Sequence, residues 1–272
     1  MTPLLTAAQL EKTKTYIFSQ GRLIDRQIYN FFFGSGTIQA CLNALKAYQN
    51  PDGGFGNGLE PDLSCPDSTA IGAETAMYVL QLLDIQKTEV IKGLVRWITT
   101  NQNADGYIDH PPKSLFNYPH QRWWETPDKE RILALAGLLK KWGYEDRAFF
   151  DKVRAFYLNI SLPEKDIFYS YPQLIYLKYC ASNSDEKAKL STLLECLPTM
   201  LEVRRNYFPL FNRMWFYIGD YVGKSTLAQA AMDVVAAFQE DGGIANPYPD
   251  LPWWRAINTV DSLVLLKKMN YL

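Results

Sequence analysis

Residues 47–72 read AYQNPDGGFGNGLEPDLSCPDSTAIG, and the order of their parts decides the fold. Ile38, Cys41, Leu42, Leu45 and Tyr48 recur at helical spacing, so an amphipathic helix leads into Gln49. Asp-Gly-Gly follows, and glycine tolerates the positive φ that ends a helix in a tight turn. Next comes a glycine- and proline-punctuated loop with Glu60, Asp62 and Asp67. Then the segment 68–83 is apolar nearly all round, which predicts a helix covered on most sides.

The same plan recurs. TNQNADGYI (100–108) and AFQEDGGIA (237–245) repeat the helix end, the Gln and the Asp-Gly turn. HQRWWETPDKERILALAGLLKKWGY (120–144) parallels LPWWRAINTVDSLVLLKKMNY (251–271), through Trp-Trp, a polar helix start and LLKK before a tyrosine. Helical stripes also run through 90–98, 146–160 and 225–239, while IFYSYPQLIYLKYC and NYFPLFNRMWFYIG read as second members of further pairs. No run of strict alternation bounded by hairpin turns occurs. An opening helix and about five helix–turn–loop–helix units predict an all-α fold. The apolar second helices favour a closed α/α toroid, one helix of each pair inside and one outside, as a single domain over residues 1–272.

The chain of 272 residues is 47% hydrophobic and 14% aromatic, with a net charge of -1. That composition predicts a core-rich globular protein without a nucleic-acid footprint. No segment has transmembrane length, and the N-terminus lacks the pattern of a signal peptide. Four scattered cysteines without C-x-x-C spacing read as reduced thiols, so the expected location is cytoplasmic.

The Q-x-x-D-G-G-F turn at Gln49–Phe55, with its counterparts at Gln102–Tyr107 and Gln239–Ile244, resembles the repeat of the terpenoid cyclase and protein prenyltransferase superfamily. The family repeat ends in Trp, where this chain has Phe55, Tyr107 and Ile244. The resemblance implies a toroid with a central cavity and an isoprenoid-like ligand. It carries no active site across: the D-x-D-D acid motif, the Asp-x-Cys zinc pair and the aspartate-rich magnesium motif do not occur. Fold alone does not assign chemistry.

In a closed ring of repeats, the loops 56–67, 108–128 and 245–254 share one rim. Glu60 and Asp62, stiffened by Pro61 and Pro66, are the leading candidates for an acid, and in a sugar enzyme either would pair with Asp109, Glu125 or Asp250 across the mouth. Trp123, Trp124, Tyr248, Trp253, Trp254 and Arg255 are candidate ligand contacts. The tryptophans can equally plug the ring from above, and Asp67 (or Ser68) and Asp128 read as N-caps of the helices that follow them.

Three functions stay open, with the apolar-ligand reading placed first and the carbohydrate reading as its alternative. An enzyme or binding protein for an apolar, isoprenoid-like molecule would use aromatic faces to stabilise a cation and a loop carboxylic acid to donate a proton. A diphosphate at so acidic a mouth would need bridging Mg2+; otherwise no cofactor is expected. A carbohydrate-active enzyme would use tryptophan platforms and paired carboxylates. A non-catalytic scaffold would use the loops for a partner. No metal-ligand spacing, catalytic triad or nucleotide loop is present.

Overall fold

A computed structural model describes residues 4–161, 166–204 and 213–272. Among them the fold is all-α, and extended backbone is confined to isolated bridges. The helices are α1 Ala7–Gln20, α2 Leu23–Phe33, α3 Ile38–Lys46, α4 Ala70–Leu82, α5 Glu89–Thr100, α6 Arg131–Lys141, α7 Arg147–Leu158, α8 Ile167–Cys180, α9 Ser184–Arg204, α10 Arg213–Ile218, α11 Lys224–Ala236 and α12 Trp253–Lys268. Among the described residues no helix is long and apolar enough to cross a membrane. Of the segment NYFPLFNRMWFYIG, residues 206–212 lie outside the described residues, Arg213–Ile218 form α10, and Gly219 opens a short 3-10 turn.

The chain divides into two compact units: residues 46–200, and residues 1–45 with 201–272. In the first, α6 packs on α8, α4 and α7. Every residue of α4 is buried, as its all-round apolar sequence predicts. Ile132–Leu139 of α6 are buried without interruption too. The alternate helices are amphipathic: α5 buries Val90, Ile91, Leu94, Trp97 and Ile98, and α7 buries Phe149, Val153 and Tyr157. In the second unit α12 packs on α1, α2 and α10, and Ala256–Leu266 are all buried.

The turns explain the repeat. Gln49 pairs with Phe55, Gln102 with Ile108 and Phe238 with Ile244, each as one antiparallel bridge. Gly53, Gly106 and Gly242 hold φ of 98°, 94° and 91° at equivalent places. Each glycine lies against the backbone of an amphipathic helix, Gly53 at Gly93 of α5, Gly106 at Lys152 of α7 and Gly242 at Lys12 of α1. The glutamine serves the same joint. Gln49 Nε2 donates to the Gly53 carbonyl at 2.9 Å and to the Val90 carbonyl at 3.0 Å. Gln102 Nε2 donates to Gly106 and Phe149 carbonyls, both at 3.2 Å.

The third turn is one residue out of the register its sequence suggests. Phe238, rather than Gln239, takes the glutamine's place. Gln239 Oε1 instead accepts from Arg255 Nη2 at 2.6 Å. In the second turn Ile108, and not Tyr107, is the counterpart of Phe55.

Candidate functional site

The loop between the first turn and α4 folds back on itself. Thr69 N donates to the Phe55 carbonyl at 3.0 Å and Asn57 N to that of Cys65 at 3.0 Å, so the loop closes like a compact Ω-loop. Asn50 Nδ2 holds its far end through the Pro66 carbonyl at 2.8 Å and Ser68 Oγ at 2.9 Å. The helix cap is Thr69, whose hydroxyl accepts from Gly72 N. This corrects the expectation for Asp67 and Ser68: Asp67 accepts from the Ser114 hydroxyl, and Ser68 is engaged by Asn50 and Asp52. A cap hydroxyl must precede the first helical residue, and that place belongs to Thr69.

Residues 56–67 and 108–128 meet, as their equivalent places in the repeat predict. Leu63 bridges His120, Ser64 N donates to the Pro119 carbonyl at 3.0 Å, and Gln121 N donates to that of Asp62 at 3.0 Å. Leu63, Cys65, Ile71, Leu115 and Trp124 form the apolar floor between them. Trp124 Nε1 donates to Asp62 Oδ1 at 2.8 Å, and Thr75 Oγ1 donates to Glu60 Oε2 at 2.8 Å. Glu60, Asp62 and Trp124 are thus brought together as buried neighbours. Trp123, the residue before Trp124, is 48% exposed, and Phe116 and Tyr118 of the same loop are exposed as well.

Beneath the loops lies a second set of groups, which the sequence patterns do not reveal as a set. Glu74 of α4 is 0% exposed. Its Oε2 accepts from Arg131 Nη1 at 2.6 Å and from Tyr171 Oη at 3.0 Å. Arg131 Nε also donates to Asp128 Oδ2 at 2.9 Å. Asp128 therefore acts as a salt-bridge partner and not as the expected cap; α6 begins without a side-chain cap. Burial disfavours the Arg131 cation, but Asp128, Tyr171 and Glu74 outweigh it and raise the guanidinium well above its ordinary value. Glu130, next to Arg131, accepts from Gln173 Nε2 at 3.2 Å. Burial pushes its carboxyl up; the bond from Gln173 opposes this and the charge of Asp128 adds to it.

His110 Nε2 donates to the Trp124 carbonyl at 2.8 Å. Burial lowers this imidazole, and Asp128 and the carbonyl bond only partly offset the effect. The folded protein therefore prefers neutral His110, and the unfolded chain takes up the proton first. Stability is expected to fall as pH drops through about 6.5, the ordinary histidine value. Glu130 has the opposite sign: its raised carboxyl makes the folded state the better proton acceptor at lower pH, so acid relieves its burial cost. Urea titrations across this range check both, and His110→Gln, which keeps a donor for the carbonyl, flattens the histidine limb.

The other sequence candidates are described in their own surroundings. Asp109 is exposed and accepts from Asn103 Nδ2 at 2.9 Å. Tyr248, Asp250, Trp253, Trp254 and Arg255 belong to the unit formed by residues 1–45 and 201–272. There Asp250 and Trp253 are exposed, Tyr248 is half-buried in a turn with Asn246, and the Arg213 guanidinium lies 5.5 Å from the Trp254 ring centroid. Arg255 holds the third turn: Nη1 donates to Asp241 Oδ2 at 2.6 Å, Nη2 to Oδ1 at 2.6 Å, and Nε to the Ile244 carbonyl at 2.8 Å. Its guanidinium also covers the Tyr16 ring at 4.6 Å.

Among the described residues, no three His, Cys, Asp or Glu side chains gather to hold a metal ion. Cys41 and Cys180 are thiols pushed by burial to about 11 and about 12. Such groups are poor nucleophiles at neutral pH. No family model matches the chain, and no curated protein matches it.

Proposed function

We propose that the paired helices close into an α/α toroid of the terpenoid cyclase type, and that the chain binds or turns over a small polyhydroxylated ligand, as a carbohydrate-active protein does. The turn joints support the ring. The first two turns each seat on the amphipathic helix that follows in sequence, whereas the turn before α12 seats on α1. A closed ring of this length has an expected radius of gyration of about 18–19 Å. Small-angle scattering checks it: a clearly larger radius, as for an open superhelix, rejects closure.

One observation carries the ligand reading. Glu74 and Asp128 flank the Arg131 guanidinium, Glu130 precedes it in the chain, Glu60 and Asp62 are buried in the loop that meets Trp124, and the exposed Trp123 is Trp124's neighbour in sequence. Carboxylates accept hydrogen bonds from hydroxyls, and an aromatic face suits the apolar face of a sugar ring. An isoprenoid diphosphate meets the wrong charge there, which ranks that reading second despite the resemblance of the turns.

In the hydrolytic form of the reading, Glu130 has the environment of a general acid, since burial moves its carboxyl in the needed direction. Glu60 or Asp62 supplies the second carboxylate, and their separation across a bound sugar sets retention or inversion. The test is a titration of neutral oligosaccharides and isoprenoid diphosphates, followed by tryptophan fluorescence. Oligosaccharides are expected to bind, and Trp123→Ala to weaken them by about 1–3 kcal/mol, the scale of a lost aromatic platform. Where turnover is detected, Glu60→Gln, Asp62→Asn and Glu130→Gln are expected to separate, the true acid losing about 10²–10⁴-fold. Binding of diphosphates alone rejects the carbohydrate reading.

A further inference from the structure

Two rings stand out of the loop 108–128 beside residues that are sunk into its floor. Leu115 and Trp124 are buried together there, whereas their chain neighbours Phe116 and Trp123 are 63% and 48% exposed. Each pair sits in a short 3-10 turn, Leu115–Asn117 and Arg122–Glu125. Three residues per turn set adjacent side chains about 120° apart, so a buried anchor turns its neighbour outward. The two turns also touch. The Phe116 ring meets the His120 ring edge-on, with centroids 5.7 Å apart. His120 Nε2 lies 3.4 Å from Glu125 Oε1, in the turn that carries Trp123. The opposite nitrogen, Nδ1, donates to the Tyr118 carbonyl at 2.7 Å and fixes the imidazole between them. Phe116 and Trp123 therefore belong to one surface patch, joined through His120 and Glu125.

Both turns are held in place. Leu115 N donates to the Pro112 carbonyl and Trp124 N to that of Gln121, each at 3.0 Å, and the Ser114 hydroxyl reaches across to Asp67. Rings fixed in this way lose little freedom when a ligand covers them. The patch itself narrows what that ligand is. The core of a protein–protein interface is depleted of charge, but exposed Asn117, Arg122 and Glu125 interrupt the aromatic surface here. A sugar ring carries the same mixture, with a C–H face to lie on an aromatic ring and hydroxyls to meet polar groups at its edge. We propose that Phe116 and Trp123 are two platforms of one open binding site, which takes a chain of several sugar rings rather than a single sugar.

This deepens the carbohydrate reading above and rests on it. The test titrates the intact protein by calorimetry with β-1,4-linked glucose and N-acetylglucosamine chains of one, two, four and six rings. In a series that binds, affinity is expected to rise about 10- to 100-fold from one ring to four, the gain of a second stacked ring with its hydrogen bonds. Phe116→Ala is expected to remove most of that rise and to leave the single sugar unchanged, which Trp123 holds alone. Phe116→Tyr, which keeps the ring, is expected to keep the rise. The Phe116 side chain is exposed, so neither substitution opens the floor. An affinity independent of chain length, or a rise that survives Phe116→Ala, overturns the second platform and leaves the carbohydrate reading standing. A concentration-dependent dimer that Phe116→Ala abolishes assigns the patch to a second copy of the chain and overturns the proposal too. Binding in neither series overturns both.

Discussion

Replacing Arg131 with methionine is expected to destabilise the protein by about 3–5 kcal/mol, the cost of stranding a buried charge. Glu74, at 0% exposure, then keeps only the Tyr171 hydroxyl as a donor. The loss arises from the carboxylate left behind more than from the bond removed. For that reason the double replacement Arg131→Met with Glu74→Leu is expected to recover much of the loss, because a well-packed apolar pair often substitutes for a buried ion pair at little cost. Urea denaturation at neutral pH, with the slope on denaturant unchanged, measures both. A single-mutant loss below about 1 kcal/mol would place Arg131 and Glu74 in an effectively exposed setting, where ion pairs are weak.

The second large effect belongs to the turns. Gly53→Ala and Gly106→Ala are each expected to cost about 2–5 kcal/mol. Roughly 1–2 comes from placing a side chain at positive φ, and roughly 1–3 from overpacking. At Gly53 an added Cβ falls 2.3 Å from the Gly93 carbonyl oxygen, and at Gly106 it falls 2.4 Å from that of Lys152. Neither neighbour can swing aside, because both are helical backbone. Gly143 separates the two causes. Its φ is 77°, yet no atom lies within 4 Å of an added Cβ. Gly143→Ala is therefore expected to cost only the conformational share, about 1–2 kcal/mol. Thermal or urea melts of the three variants test the division. Equal losses at all three positions would remove packing from the account.

The turn sequences show why the all-α class and its repeated turns were readable. An Asp-Gly motif after an apolar stripe marks a joint that side-chain chemistry hardly alters, and the all-round apolar run of α4 announces its burial. The slip at Phe238 shows the limit of the same signal. Gln239 looks like the repeat's glutamine, but the glycine at positive φ sets the count, and Gln239 lies one residue too close to Gly242. Only backbone geometry distinguishes the two registers.

The site was readable in part. Loop equivalence placed Glu60 and Asp62 beside Trp124, because residues at matching stages of a repeat end up neighbours. The Glu74–Arg131 pair escaped, since its members lie 57 residues apart and no spacing rule joins them. A local clue did exist: Glu74 is the one charged residue of α4, and a buried carboxylate demands a partner. The sequence does not say which of many arginines answers. Asp128 misled for a related reason. An aspartate just before a helix usually caps it, but here the nearby guanidinium is the stronger attraction.

The seat of Gly242 against Lys12 has a consequence for how the chain is made. A ribosome releases α1 well before the residues that cover it. The stretch 46–200 is continuous and can settle while synthesis proceeds, whereas the opening helices must wait, apolar faces unpaired, for the closing segment to emerge. That interval is when the nascent polypeptide is most exposed to chaperones and proteases.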